Sequence, residues 1–252
     1  MSDVLLQVKH LKKSFGETTV LKDLSLDVHT GEVIVVVGPS GCGKSTFLRC
    51  LNGLEKIQGG EIRLKGSLIS DKKTDWQKVR QQIGMVFQSY DLFPNMTVLQ
   101  NLLLGPVKVQ KRSREEATEA ARKLLARVGL SEKENAFPRE LSGGQKQRVA
   151  IMRALILNPE IILFDEVTAA LDPEMVREVL DVILELAKSG STMIVVTHEM
   201  QFAQAVADRI VFIDGGEIVE SAPPDEFFTA PKTERARKFL NMFQFEKRKE
   251  ES

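Results

Sequence analysis

The segment "EVIVVVGPSGCGKST", residues 32–46, constrains the fold more than any other part of the sequence. Its first half is a continuous run of mostly β-branched residues, which is typical of a strand buried on both faces. The run ends in a glycine-rich loop, and the apolar spacing of Phe47, Leu48 and Leu51 then predicts a helix. A strand, a loop and a helix in this order indicate a parallel sheet that is covered by helices.

Other apolar runs alternate with helical stretches along the chain. Continuous runs predict further buried strands, and strict alternation of apolar and polar residues predicts strands with one buried face. The continuous runs are residues 161–164, 192–197 and 211–213, and the alternating ones are residues 4–8 and 24–28.

The stretch from about residue 76 to residue 150 differs in character. It has few long apolar runs and predicts mostly helices, with one strand near residues 83–87. We therefore expect a single domain over residues 1–252 in which this stretch, 76–150, forms an inserted helical lobe. Residues 1–75 and 155–252 would then form the core around it.

Composition argues against several classes of protein. The 252 residues contain 35 basic and 35 acidic side chains, so no basic excess points to nucleic acid. No apolar run approaches the roughly 20 residues that cross a bilayer, and the start "MSDVLLQVKH" lacks the features of a signal peptide. Cys42 and Cys50 suggest neither a disulfide framework nor a zinc site. We expect a soluble cytoplasmic protein that would meet a membrane only through a partner.

The glycine-rich loop has the residues and the spacing of a phosphate-binding P-loop at Gly38, Gly43, Lys44 and Ser45. Glycines let backbone N–H groups converge on phosphate oxygens, and the following helix offers the positive end of its dipole. Lys44 can reach the terminal phosphates, and the Ser45 hydroxyl is placed for Mg²⁺. An ordinary glycine-rich turn is the alternative, and the strand–loop–helix context argues against it.

Two adjacent carboxylates, Asp165 and Glu166, follow the apolar run at residues 161–164. Because phosphate sites lie at the carboxyl ends of parallel strands, we expect the Asp165 strand to lie beside the P-loop strand. Asp165 could then hold Mg²⁺ through its water shell, and Glu166 could face the γ-phosphate and orient or deprotonate a water. A solvated acidic strand end is the alternative, and it leaves the apolar run unexplained.

The segment "LSGGQKQR", residues 141–148, predicts a second anion-binding helix N-terminus. One nucleotide needs only one such site. If two molecules meet head to tail, however, the P-loop of each can face this segment of the other. Two ATP molecules are then held between the two chains, and hydrolysis would open the pair and convert chemistry into motion.

With these motifs in this order, the sequence resembles the ABC-transporter ATPases over nearly the whole chain. The resemblance implies an α/β fold: a P-loop NTPase core with a parallel sheet and helices, an N-terminal antiparallel β lobe and an inserted α-helical lobe. It implies ATP and Mg²⁺, with Glu166 and His198 as catalytic residues and Ser45, Gln88 and Asp165 at the metal. The nucleotide-contacting positions that it implies are Phe15, Val20, Gly38, Pro39, Ser40, Gly41, Cys42, Gly43, Lys44, Ser45, Thr46, Gln88, Ser142, Gly143, Gly144, Gln145 and Asp172.

Within this resemblance Phe15 is the ring that stacks on adenine, and Gln88 touches Mg²⁺ and couples to the membrane domain. His198 contacts the γ-phosphate. The sequence departs from the family pattern at Val167 and Ala169, where proline and serine are common. Neither change removes a phosphate or metal contact, so we expect hydrolysis to survive, and the effect on the coupling between subunits stays open.

Finer features, such as "DEVTAALDPEMV", resemble the polar amino acid uptake ATPases of bacteria. This implies two permease subunits in the membrane, an extracytoplasmic solute-binding protein, no nucleic acid, and a position on the cytoplasmic face of the cell membrane. The permease groove would lie near residues 88–101, with Tyr90, Leu92 and Phe93 either as contacts or packed inside the lobe. The amino acid itself is not readable, since its pocket lies in the partners.

Three alternatives stay open from the residues alone. A soluble ABC ATPase acting on DNA or ribosomes would share every nucleotide motif, and so would an exporter ATPase. A P-loop kinase would share the P-loop. The segment at residues 141–148 and a glutamate suited to activating water argue for hydrolysis instead.

Overall fold

The computed structural model describes residues 3–243. Its first sheet is antiparallel and is the N-terminal β lobe that the sequence predicts. The strands of this sheet are β1 (Val4–Phe15), β2 (Thr18–His29), β4 (Gly59–Leu64) and β5 (Ser67–Leu68). Their order is β2-β1-β4-β5. β1 and β2 each bury alternate residues over much of their length, as a half-buried strand requires.

The second sheet has six strands in the order β10-β9-β3-β8-β7-β6, and all neighbours are parallel except β10 and β9. Every residue of β3, β7 and β8 is buried, as their continuous apolar runs predict. The strands are β3 (Val33–Val37), β6 (Ile83–Val86), β7 (Ile161–Asp165), β8 (Met193–Val196), β9 (Arg209–Asp214) and β10 (Glu217–Ala222).

Strand β8 separates the P-loop strand from the strand of Asp165. Val195 lies opposite Val35 of β3 on one side and opposite Phe164 of β7 on the other. The expectation that the Asp165 strand lies beside the P-loop strand is therefore wrong. Equally apolar runs do not reveal their order in a sheet, which depends on how the chain crosses between strands. Both strands still end at the same edge of the sheet, where a phosphate site forms.

Helices cover this second sheet, and a hydrophobic core lies on each of its faces. On one face Ile34 and Val36 pack with residues of the antiparallel sheet and α1, and on the other Val35 packs with the remaining large helices. The helices are α1 (Lys44–Leu51), α2 (Trp76–Gln82), α3 (Val98–Leu104), α4 (Arg114–Arg127), α5 (Gly143–Leu155), α6 (Pro173–Lys188), α7 (Met200–Val206), α8 (Pro224–Thr229) and α9 (Glu234–Asn241).

The stretch between residues 76 and 150 contains more than helices. Helices α3, α4 and α5 pack on one another, and a π-helical turn (Gly105–Val109) extends α3. Strand β6, however, pairs with β7 and forms an edge of the six-stranded sheet. No helix in residues 3–243 is both long and apolar enough to span a membrane.

Candidate active site

The P-loop leaves the carboxyl end of β3 and turns directly into α1. A Cβ atom on Gly38 would lie 2.0 Å from the carbonyl oxygen of Ile213, so only glycine fits where the loop leaves the strand. Helix α1 begins at Lys44, and no side chain caps its N-terminus. Its first N–H groups are therefore available to an anion. The other predicted loop residues are Pro39, Ser40, Gly41, Cys42, Gly43 and Thr46, of which Ser40 and Gly41 are exposed and Cys42 and Gly43 buried.

The Lys44 ammonium lies across this loop and is almost fully buried. It donates hydrogen bonds of 2.9 Å to the carbonyl oxygens of Gly38 and Pro39. Its Nζ is also 3.9 Å from Oε1 of Glu166. The ammonium thus lies between the loop backbone and the carboxylate, where it would meet the terminal phosphate of a nucleotide.

Asp165, the last residue of β7, lies beside the start of α1. Burial raises the pKa of its carboxyl, while a hydrogen bond with the Ser45 side chain and the nearby Arg49 and Lys44 charges act in the opposite direction. Arg49 Nη2 is 3.8 Å from Asp165 Oδ2. The buried Oδ1 atom has no hydrogen-bond partner among residues 3–243. An unpartnered carboxylate oxygen next to a serine hydroxyl fits a divalent cation.

Within the same residues no group of three or more histidine, cysteine, aspartate or glutamate side chains could hold a metal. A cation at Asp165 and Ser45 would therefore take its remaining ligands from nucleotide phosphates and water, as Mg²⁺ commonly does.

Glu166 follows Asp165 and faces His198. The Glu166 Oε1 and His198 Nε2 atoms are 3.0 Å apart, within hydrogen-bond distance. Glu166 has a φ of 48°, a left-handed backbone conformation that is uncommon for residues other than glycine. Its N–H donates to the carbonyl of Val196 in the neighbouring strand, which helps to fix this turn. His198 follows β8 just as Glu166 follows β7, so adjacent parallel strands bring the two side chains together.

The second predicted anion site begins α5. The Ser142 hydroxyl accepts from the Gln145 N–H at 3.2 Å, and the Gln145 side chain accepts from the Ser142 N–H at 3.1 Å. This reciprocal capping box does not use the N–H groups of Gly143 and Gly144, which lie between Ser142 and Gln145. The Gly144 N–H donates to a weak acceptor, the Met175 sulfur, at 3.3 Å.

The glycines of this segment pack against residues that follow β7. A Cβ atom on Gly143 would lie 2.9 Å from Leu171 Cδ2 and 3.1 Å from the Tyr90 hydroxyl oxygen. Asp172 stands at the N-cap of α6, in the same neighbourhood, and is exposed. The structure therefore places Ser142–Gln145 and Asp172 in a second group beside the start of α6.

Gln88 lies just beyond β6 and is exposed. The residue before it is tied to α5, because the Gln147 side chain donates to the carbonyl of Phe87 at 3.1 Å. Beyond Gln88, the carbonyls of Tyr90 and Asp91 accept hydrogen bonds from Arg153 of α5. The loop that carries Gln88 is therefore fastened to the helix that begins with the second anion site.

Phe15 ends β1, and Val20 is the third residue of β2, just beyond the turn between these strands. The Phe15 residue is 46% exposed, an unusual state for a large aromatic residue and one suited to stacking with a ligand. Val20 lies close to the P-loop, since a Cβ atom on Gly43 would come 3.2 Å from Val20 Cγ1. The turn thus borders the phosphate loop.

Arg49 and Arg153 were not predicted from the sequence. Arg49 follows Ser45 by one helical turn, so the i, i+4 spacing could have revealed it as a second contact of the Asp165 carboxylate. Arg153 had no sequence signal, because its partners are backbone carbonyls far away along the chain.

Comparison with known proteins shows which family the chain resembles. The family description "ABC transporter" matches residues 21–169. The chain is 58% identical over 236 residues to the arginine transport ATP-binding protein ArtM of Bacillus subtilis, covering 94% of this chain and 98% of that protein. It is 55% identical over 236 residues to the glutamate/aspartate import ATP-binding protein GltL of Escherichia coli, with the same coverage.

A solved structure resembles the fold as well. It is the dimeric, post-hydrolysis state of the ATP-binding cassette MJ0796 bound to ADP and phosphate, with a TM-score of 0.79 and 35% identity over 87% of this chain and 99% of that one. The P-loop, the paired carboxylates, the histidine and the second helix N-terminus are thus found in a chain that is similar throughout to these proteins. The chain belongs to the ABC transporter family, as one of its ATP-hydrolysing subunits.

Proposed function

We propose that this chain binds ATP with Mg²⁺, hydrolyses it, and thereby powers a membrane permease that imports polar amino acids. The observation that carries the chemistry is the convergence of Lys44, Asp165, Glu166 and His198 at one edge of a parallel sheet. The amino acid cargo is inferred from the relatives, whose names specify arginine, glutamine and glutamate or aspartate transport.

In this proposal, separate groups of the chain bind the phosphates and activate the water. The P-loop N–H groups and Lys44 bind the phosphates. Glu166 accepts the proton of the attacking water or orients it, and His198 holds the Glu166 carboxylate through the 3.0 Å contact. Lys44 Nζ lies 3.9 Å from Glu166 Oε1, so the phosphate-binding ammonium and the carboxylate act at the same point.

Ser45, Gln88 and Asp165 would hold Mg²⁺. When bound, the ion neutralises part of the phosphate charge. Gln88 lies on a loop that is fastened to α5 through Gln147 and Arg153. A shift of that loop toward the nucleotide would therefore be passed to the helix that carries the second anion site.

We further propose that two chains join head to tail, so that Ser142–Gln145 and Asp172 of one complete the ATP site of the other. In support, the Gly144 N–H donates to a weak sulfur acceptor in the single chain, and MJ0796 is described as dimeric with ADP and phosphate. The dimer would bind two permease subunits on the cytoplasmic face of the membrane and act with an extracytoplasmic solute-binding protein.

The experiment uses Glu166→Gln, which should bind ATP without hydrolysing it. The tagged variant is expressed in the source cells, membranes are solubilised gently with ATP present, and co-purifying proteins are identified. Glu174→Gln, the same change at an exposed site, is the matched control. A polytopic membrane protein in equal amount supports the proposal. Ribosomes or nucleic acid without any membrane protein would overturn the transport role.

A phosphate-release assay separates hydrolysis from phosphoryl transfer. Purified chain with Mg-ATP and no acceptor should release inorganic phosphate steadily. Release that appears only when a small acceptor molecule is added would favour the kinase alternative.

A further inference from the structure

We infer that Lys13 positions the base-stacking ring of Phe15 and thereby contributes to the part of ATP binding that depends on the base. Lys13 is therefore a positioning residue rather than a phosphate ligand. The inference rests on the proposed role of Phe15 in stacking on adenine.

Lys13 is a buried lysine close to a proposed ligand site. Its residue is only 4% exposed, an uncommon state for a lysine without a partner. The Nζ atom lies 2.9 Å from Glu55 Oε2 and donates to the carbonyl oxygen of Lys56 at 2.9 Å. These contacts compensate its charge and hold the ammonium at one point.

That point is against the Phe15 ring. The ammonium nitrogen lies 4.3 Å from the ring centroid, which is a close cation–π distance. The Phe15 residue nevertheless remains 46% exposed. A fixed cation on one side limits the orientations that an exposed ring samples, and it leaves surface free for a base.

The partners of Lys13 connect this ring to the phosphate site. Glu55 and Lys56 belong to the loop after α1, in which the N–H groups of Leu54 and Glu55 donate to the carbonyl of Arg49 near the end of that helix. From the same loop, Gln58 donates its N–H to the carbonyl of Lys12 and accepts from the Ser14 N–H. Since α1 begins at the P-loop, one helix fixes both the phosphate site and, through this loop, the base platform.

The test compares two ligands that share phosphates and differ in the base. Affinities for Mg-ATP and for inorganic tripolyphosphate with Mg²⁺ are measured by calorimetry on the full chain. Lys13→Met, which keeps the length of the stem, should weaken ATP binding about threefold to tenfold and leave tripolyphosphate within about twofold. Lys12→Met is the matched control. It makes the same substitution at the preceding residue, whose side chain is exposed.

Phe15→Leu tests the proposed stacking of Phe15 on adenine by itself, apart from the role of Lys13. Lys13→Met should cause no further change in the ATP to tripolyphosphate ratio when it is added to Phe15→Leu. If Phe15→Leu lowers the ratio and Lys13→Met does not, the role of Lys13 is overturned while the ATP site stands. If Phe15→Leu leaves the ratio unchanged, the base platform and this inference are both overturned.

Lys13→Met leaves the Glu55 carboxylate without its ammonium partner, so stability is checked with Lys13→Met/Glu55→Gln. This double variant should melt near the wild type and still show the loss for ATP alone. Equal weakening of ATP and tripolyphosphate in a well-folded double variant would mean that Lys13 acts only on structure, and would overturn the inference.

Discussion

Gly38 and Gly41 belong to the same loop, and the structure gives them different surroundings. Both have positive φ angles, 152° and 77°, which strain any other residue. A Cβ atom on Gly38 would collide with the Ile213 backbone, whereas a Cβ atom on Gly41 would meet nothing within 4 Å. The sequence shows a glycine at both positions and does not distinguish them. The structure shows that close backbone packing adds to conformational strain at Gly38, whereas strain acts alone at Gly41.

The first prediction follows from this difference. Gly41→Ala should cost about 1–2 kcal/mol of unfolding free energy through backbone strain alone. Gly38→Ala should cost about 3 kcal/mol or more, because the backbone of β9 must also move. Urea unfolding without nucleotide measures both. Equal losses would show that the close approach at Gly38 is unimportant.

The second prediction concerns the contact of His198 with Glu166. His198→Ala should lower the rate of hydrolysis by about 10²-fold or more, because Glu166 loses the partner that orients it. ATP affinity should change little, since the P-loop is untouched. His10→Ala is a matched control: it also removes a histidine–carboxylate contact of 2.9 Å, at an exposed site on β1. A His198→Ala enzyme with normal turnover would contradict this role.

At the scale of elements, Glu220 of β10 holds the chain between α8 and α9. Its carboxylate accepts from the N–H groups of Lys232 and Thr233 and from the Thr233 hydroxyl, at 2.8–2.9 Å. Burial raises the pKa of Glu220, but these hydrogen bonds and the Lys232 charge outweigh it and hold the pKa below its ordinary value. One side chain therefore fixes the start of α9 against the sheet.

The third prediction is how the stability that Glu220 contributes changes with pH, and the lowered pKa gives the direction. A depressed pKa in the folded chain means that the carboxylate stabilises the fold above its unfolded pKa of about 4.3 and stops doing so as pH falls through the folded pKa. Glu220→Gln should therefore cost about 1–3 kcal/mol at pH 7, and the gap to wild type should narrow at lower pH. Thermal melts at several pH values test it, with exposed Glu217→Gln as control. A gap that widens with acid would contradict it.

Much at this scale could be predicted from the sequence, because continuous apolar runs report burial directly. The continuous apolar runs of β3, β7 and β8 predict three strands of the six-stranded sheet. Strand β10 has a mixed pattern of buried and exposed residues and was missed. The position of β8 between β3 and β7 was also missed, because neighbour order depends on the path of the chain rather than on local pattern.

In the whole molecule, the segment that follows Gln88 is held by hydrogen bonds to a single buried side chain and still contains an exposed aromatic residue. The buried Asn101 side chain accepts from the Phe93 N–H at 2.8 Å and donates to the carbonyls of Phe93, Met96 and Thr97. The Phe93 side chain remains 45% exposed. Of the two readings that the sequence left open, a contact with a partner suits Phe93 better than packing inside the lobe.

The fourth prediction is that Phe93→Asp uncouples transport from hydrolysis. In a reconstituted transporter, solute uptake should fall about tenfold or more, as the loss of an apolar anchor at an interface implies. Hydrolysis by the isolated chain should stay near wild type, because Phe93 is exposed and its backbone is held by Asn101. Leu68→Asp on β5, 39% exposed, is the control and should affect neither. Equal loss of uptake and hydrolysis in Phe93→Asp would contradict the proposed groove.

The most direct test of the whole account is the mass of Glu166→Gln in solution, measured by light scattering with and without Mg-ATP while bound nucleotide is counted. We expect a single chain without nucleotide and, with Mg-ATP, a stable pair of chains that holds two ATP molecules. Mg-ADP should produce no pair. A variant that binds ATP fully and remains a single chain would contradict the head-to-tail mechanism.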